Sequence, residues 1–122
     1  MILADSNILI YAAKGSDPLA DFLVDVDPLF SAISYVEALG FHGLPLDEKE
    51  FIESFFSGTE LVPVDNDVLR EAVRLRQIRR MTLGDAVIAG TALTNGWTLA
   101  TRNVKDFAWI PGLHVIDPLV RN

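Results

Sequence analysis

Residues 1–12, MILADSNILIYA, decide how the rest of the chain is read. Ile2, Leu3 and Ala4 form an apolar run with the composition of a short buried strand. Asp5, Ser6 and Asn7 interrupt it before apolar residues resume. The pattern predicts a strand over residues 2–5 that ends on a carboxylate, followed at once by a helix over 7–13. Burying a charge is costly unless it is paired, so Asp5 at a strand end needs a reason. One reason is local: Asp5 with Ser6 and Asn7 could cap the following helix. The other is chemical: a strand end holds a ligand more rigidly than a loop does.

Strand and helix signals alternate along the remaining chain. Gly15, Asp17 and Pro18 mark a turn before a short amphipathic helix over 19–26. A strand is expected over 29–33, and a helix over 34–41 that Gly43 and Pro45 bring to an end. The next helix, 47–56, carries Phe51, Ile52, Phe55 and Phe56 at helical spacing and stops at Gly58. A third strand covers 61–64. Helix 67–80 places Val68, Ala72 and Leu75 on one face, with Leu69 and Val73 beside them. Helix 83–94 is apolar nearly all round, the mark of burial on several sides, and Asn95-Gly96 stops it. Strands over 97–101 and 113–116 complete the set. Such alternation predicts an α/β fold with a mainly parallel central sheet flanked by helices. Ligands of open sheets bind at the carboxyl ends of the strands. Asp5 and the Thr101-Arg102-Asn103 stretch lie at such ends.

Composition narrows the chemistry. The 122 residues contain no internal repeat, low-complexity segment or linker, so residues 1–122 are read as a single domain. There are no cysteines, which excludes disulfides, thiolate catalysis and cysteine-bound zinc. The two histidines, His42 and His114, have no acidic or nucleophilic neighbour in sequence and are read as structural. No apolar run approaches the ~20 residues of a membrane span. The start lacks a basic segment and places Asp5 where a signal peptide would be apolar. The expected location is the cytoplasm.

Formal net charge is −7, which by itself disfavours a nucleic-acid binder. The charge is uneven, however. Arg70, Arg74, Arg76, Arg79 and Arg80 lie within one short stretch, and a binding site responds to local charge. Arg70 and Arg74 share a helix face, while Arg76, Arg79 and Arg80 form a second group. These and Arg102 are candidate phosphate contacts. The alternative is ordinary: basic residues near a helix C-terminus favour its dipole and solvate a surface.

Four acids each interrupt or border an apolar run: Asp5, Glu37 in SAISYVEALG, Asp85 in MTLGDAVIAG, and Asp106 in LATRNVKDF. Glu37 follows Ser34 by three residues and Asp85 follows Thr82 by three, the spacing of a capping box. Asp106 could pair with Lys105 or an arginine. As a set the four read differently. Asp5 and Asp106 follow strands at one sheet edge, and first helical turns carrying Glu37 and Asp85 would face that edge too. Clustered carboxylates repel one another and raise their pKa values, a conflict that a divalent cation removes. Oxygen-only ligands favour Mg²⁺ or Mn²⁺ over Zn²⁺.

In order along the chain, MILADSNILIYA, SYVEALG, TLGDAVIAGTAL and LATRNVKDF resemble a PIN domain, and within that family the VapC-type toxin ribonucleases of toxin–antitoxin pairs. The resemblance spans essentially the whole chain. It implies a three-layer α/β/α sandwich, a Mg²⁺- or Mn²⁺-dependent endoribonuclease acting on RNA, a protein antitoxin and a homodimer. Matched by motif, Asp5, Glu37, Asp85 and Asp106 take the places of the family's acidic quartet, with Asp5 and Asp85 as metal ligands. Ser6 and Thr101 match its hydroxyl positions, and Asn7 would orient Asp5 or water. Asn103 stands where some relatives carry Asp, so either Asn103 or Asp106 faces the metal. Phe51, Phe55 and Phe56 are read as core or interface packing; Trp109, just beyond KDF, could stack on a base but is read first as packing for its loop. Two other readings compete. One is a catalytically silent interaction module on the same scaffold. The other is a receiver-like domain with Asp65 as phospho-acceptor, which LADSN disfavours by lacking an acid pair.

Overall fold

The protein is described here by a computed structural model covering residues 1–120. Its strands are β1 (Ile2–Ala4), β2 (Phe30–Ser31), β3 (Leu61–Val62), β4 (Thr98–Ala100) and β5 (Val115–Ile116). Its helices are α1 (Ser6–Ala13), α2 (Asp17–Val26), α3 (Ala32–Leu39), α4 (Leu46–Ser57), α5 (Asn66–Ile78), α6 (Leu83–Asn95) and α7 (Val104–Phe107). β1, β4 and β5 pair in parallel, with Leu3 opposite Leu99 and Leu99 opposite Val115. β2 and β3 pair in parallel as well. A parallel bridge between Leu3 and Leu29 joins the two groups, with Ala4 N–H donating to the Leu29 carbonyl at 2.8 Å. The strands thus run in the order β3-β2-β1-β4-β5. From β1 the chain builds outward to one side, then crosses to the other. A crevice forms at the carboxyl ends of the strands where such a reversal occurs, here between β1 and β4.

Successive strand residues face opposite sides of a sheet. Ala4 and Phe30 therefore join Ile8, Leu9, Leu19, Leu23, Ala38, Ile52 and Phe56 from α1 to α4. Leu3 and Leu99 join Leu75, Ile88, Ala89, Ala92, Phe107 and Ile110 from α5, α6, α7 and the loop beyond. These two cores make the expected three-layer α/β/α sandwich. Phe30 meets Phe55 and Phe56 edge-on at 5.5 and 6.0 Å, so the aromatic group of α4 is core packing, with Phe51 left more exposed.

Element ends differ from the sequence expectation for identifiable reasons. Pro18 sits in the first turn of α2, where its missing N–H costs nothing, so the helix starts at Asp17 rather than 19. Ser31 caps α3 by accepting from Ile33 N–H, which draws Ala32 and Ile33 out of the expected strand. Pro63 cannot donate to a ladder, and β3 stops at Val62. Asp65 accepts from Val68 N–H at 3.0 Å and caps α5, a structural role in place of phospho-acceptance. α5 ends at Ile78 instead of 80, because Arg79 is extended at φ −152° and ψ 149°. α7 is a single turn without apolar periodicity of its own.

α5 and α6 approach closely at Gly90. A Cβ there would lie 3.1 Å from the Val68 carbonyl oxygen and 3.2 Å from Ala72 N. That contact fixes Asp85 of α6 relative to the arginines beyond α5. Gly90→Val should force the helices apart and lower stability by about 2 kcal/mol, the usual size of overpacking, as read by urea denaturation.

Candidate metal and nucleic-acid site

Asp5 directly follows β1, and its backbone N–H donates to the Ala100 carbonyl of β4 at 2.8 Å. Its side chain makes no capping bond to α1. The Thr101 hydroxyl instead donates to Asp5 Oδ2 at 2.8 Å across the β1–β4 seam, with both residues buried. Thr101 Oγ1 also accepts from Asn103 N–H at 3.0 Å. Asp5 is thereby locked on the sheet at the switch point, with no cation in contact among the described residues.

Glu37 is not a capping acid. Ser31 is the N-cap, which places Glu37 in the second turn of α3 rather than the first. Ser6 Oγ lies 2.7 Å from Glu37 Oε1 and 2.7 Å from the buried Ser34 hydroxyl. The single proton of Ser6 serves the carboxylate, and its lone pairs then face Ser34. The other Glu37 oxygen lies over Gly84, where a Cβ would stand 2.1 Å from it. α6 does begin with half of the capping box: Thr82 accepts from Asp85 N–H at 3.1 Å. Thr82 also acts on the Asp85 carboxylate through a side-chain hydrogen bond that favours its charged form.

Repulsion among the acids acts on Asp5 and Asp85. Asp5 is pushed up to about 6, first by burial and then by repulsion from Asp85 and Glu37, against the opposing Thr101 bond. Asp85 is raised by burial, by Asp106 and by Glu37, against an opposing hydrogen bond from Thr82. Asp106 lines a groove of about 360 Å³ with Asp85, Thr82, Arg79, Arg80 and Trp109, and forms no ion pair with Lys105. Asn103 lines a different groove, of about 580 Å³, with Arg102, Tyr11 and Lys14. Asp106 is thus the member of that pair on the side of the acids.

The arginines divide. Arg70 and Arg74 engage Asp67 and Glu71 on their own helix, and Arg76 donates to the Met81 carbonyl at 3.3 Å. Arg102 departs from expectation: its guanidinium binds both Asp117 oxygens at 2.7 Å, so its charge is already satisfied by the segment after β5. Arg79 and Arg80 line the acidic groove and have no carboxylate within ion-pair distance among the described residues. His114 is a surface partner of Thr98, with its Nδ1 3.0 Å from the hydroxyl. Sequence reasoning missed Ser34 as a site residue, along with Gly84 and the contact between Arg79 and Trp109. Only Ser34 carried a signal, its spacing to Glu37, and that spacing suggested a cap.

The residues fit a divalent cation. Among the described residues no three acidic, histidine or cysteine side chains close around a single point. An ion here would rest directly on Asp5 and Asp85 and keep several waters, the habit of Mg²⁺-like ions. A buried carboxylate in mutual repulsion with two others gains most from such an ion. In the first turn of α1, both Asn7 amide atoms are buried without a protein partner. Asn7 therefore does not bond Asp5, and it offers a donor and an acceptor that the chain itself leaves unmet.

The model of the PIN domain family matches residues 2–112, and the chain belongs to that family. It is 32% identical to Ribonuclease VapC1 of Rickettsia felis over 80% of this chain and 69% of that protein. It is also 32% identical to Ribonuclease VapC10 of Mycobacterium tuberculosis over 88% and 86%. Among solved structures, a toxin–antitoxin complex from Klebsiella pneumoniae superposes with a TM-score of 0.81 at 29% identity, covering 99% of this chain and all of that one. VapC-type PIN nucleases generally require a divalent metal ion.

The raised Asp5 carboxyl has a consequence for stability. Its folded value of about 6 exceeds the ordinary 3.8, so between those values the folded chain holds a proton that the unfolded chain has released. Metal-free stability from this group is greatest below pH 3.8, falls as pH rises to about 6 and is level above. Asp5→Asn should remove that slope and raise metal-free stability at pH 7 by about 2–3 kcal/mol, read by urea denaturation in chelator across pH 4–8.

Proposed function

We propose that this chain is the toxin endoribonuclease of a toxin–antitoxin pair, hydrolysing RNA phosphodiester bonds with Mg²⁺ or Mn²⁺ at Asp5, Glu37, Asp85 and Asp106. The observation that carries the reading is electrostatic: Asp5 and Asp85 are both raised at the sheet's switch point, by burial and by the neighbouring acids, and no cation among the described residues pairs with either. Membership of the PIN family and likeness to VapC ribonucleases supply the reaction class. The remaining partners are an RNA substrate, a protein antitoxin and a second copy of the chain. The setting is the cytoplasm, in keeping with the finding that no described helix is long and apolar enough to cross a membrane.

Asp5 and Asp85 would hold the ion. When bound, it supplies Lewis-acid polarisation of the phosphodiester and activation of the attacking water. Thr101 keeps the Asp5 carboxylate aimed from β1. Ser6 presents Glu37 through one oxygen, leaving the second to orient a water or accept its proton. Asp106 shapes the far side of the groove. Arg79 and Arg80 attract the polyanion, which an overall charge of −7 would otherwise repel.

The test is incubation of the antitoxin-free chain with total cellular RNA and Mg²⁺ or Mn²⁺, beside a chelator control. Discrete cuts are expected, and Asp85→Asn, folded by circular dichroism, should lose activity by on the order of a hundredfold or more. Wild-type turnover in Asp85→Asn would overturn the site. Ion binding without any cleavage by the wild type would instead support a silent interaction module.

A further inference from the structure

Arg79 presents a puzzle of electrostatics. It shares a groove with the carboxylates of Asp85 and Asp106 yet pairs with neither. Its guanidinium lies instead over the Trp109 ring, 5.3 Å from the centroid. The ring is itself fixed twice. Its body packs against the core formed by Leu3, Leu99 and Phe107, and its indole N–H donates to the Asp106 carbonyl at 3.0 Å. Trp109 thus touches both the cation at the groove's rim and the turn that carries one of the acids. Arg79 is also free of its helix, since the backbone is extended at that residue.

We propose that Trp109 is a positioning residue for RNA. Its ring holds Arg79 off Asp85 and Asp106, so that the guanidinium meets an RNA phosphate rather than quenching the carboxylates. Its indole N–H steadies the turn carrying Asp106. The physics favours this division. A cation over an indole face keeps its full charge and its outward donors. An Arg–carboxylate pair would neutralise both a phosphate contact and an acid needed for the ion. The proposal rests on the nuclease reading above and adds to it the residue that separates the site's cation from its anions.

The experiment compares wild type, Arg79→Gln, Trp109→Leu, Trp109→Phe and the Arg79→Gln/Trp109→Leu double variant on an RNA that the wild type cuts. KM, kcat and the salt dependence of RNA binding in chelator are measured, with folding checked by thermal melting. Arg79→Gln should raise KM by about three- to tenfold, the scale of one such contact, and shallow the log–log salt slope by about 0.7. Trp109→Leu should give the same KM and slope changes together with a lower kcat, with no further change of KM or slope in the double variant. Trp109→Phe keeps a ring face but no N–H, so it should restore KM and the slope while kcat stays reduced. A folded Trp109→Leu with wild-type KM and slope, or additive losses in the double variant, would overturn the proposal and leave the nuclease reading intact. Should Trp109→Leu unfold, a raised KM in folded Trp109→Phe would overturn it as well. Absence of any cleavage by the wild type would overturn the nuclease reading and this inference together.

Discussion

The Thr101 hydroxyl donates to Asp5 Oδ2 at 2.8 Å across the seam between β4 and β1, and the site is organised around that contact. It joins strands separated by most of the chain, at the one place where the sheet order reverses. A carboxylate on a strand end, bonded by a buried hydroxyl, has little freedom to swing toward solvent. Burial therefore acts on it at full strength, and it is raised to about 6 despite the bond that favours its charged form. The other acids arrive on separate elements: Glu37 on α3, Asp85 at the start of α6 and Asp106 on the short α7. Each is brought there by a cap or core contact that would serve packing alone, such as Thr82 on α6 or Phe107 beneath α7.

A chain of net charge −7 that gathers carboxylates must still admit a polyanion. The answer lies in where positive charge is left uncommitted. Arg70, Arg74 and Arg102 are paired with acids of the chain. Arg79 and Arg80 have no such partner among the described residues, and they border the acidic groove. A count of arginines in one stretch of sequence therefore overstates the basic surface, while their distribution after folding concentrates it at the site.

The layered architecture was legible before folding because it rests on local pattern, apolar runs of strand length, and the same pattern drew attention to the acids placed where those runs end. Less legible were features settled by a neighbour distant in sequence. Ser34 and Glu37 have the spacing of a cap, but Ser31 wins the N-terminus of α3, and Ser6 takes the Glu37 carboxylate from across the fold. Arg102 looks like a phosphate contact beside Thr101 until Asp117 is brought against it by β5. The ambiguity between Asn103 and Asp106 is a matter of three residues in sequence, yet a single turn of helix sends them to different grooves. Trp109 gave no sign of its tie to Arg79, because the extended backbone that aims Arg79 lies at a helix end no propensity marks.

The central claim is that buried, mutually repelling carboxylates make this a cation site. It is tested most directly by following the Asp5 carboxyl by carbon-detected NMR through a pH titration, first in chelator and then with saturating Mg²⁺. The account predicts a midpoint of about 6 without metal and a fall below the ordinary carboxylate range when the ion binds. A midpoint near 3.8 in chelator, or one that Mg²⁺ leaves unmoved, would contradict it.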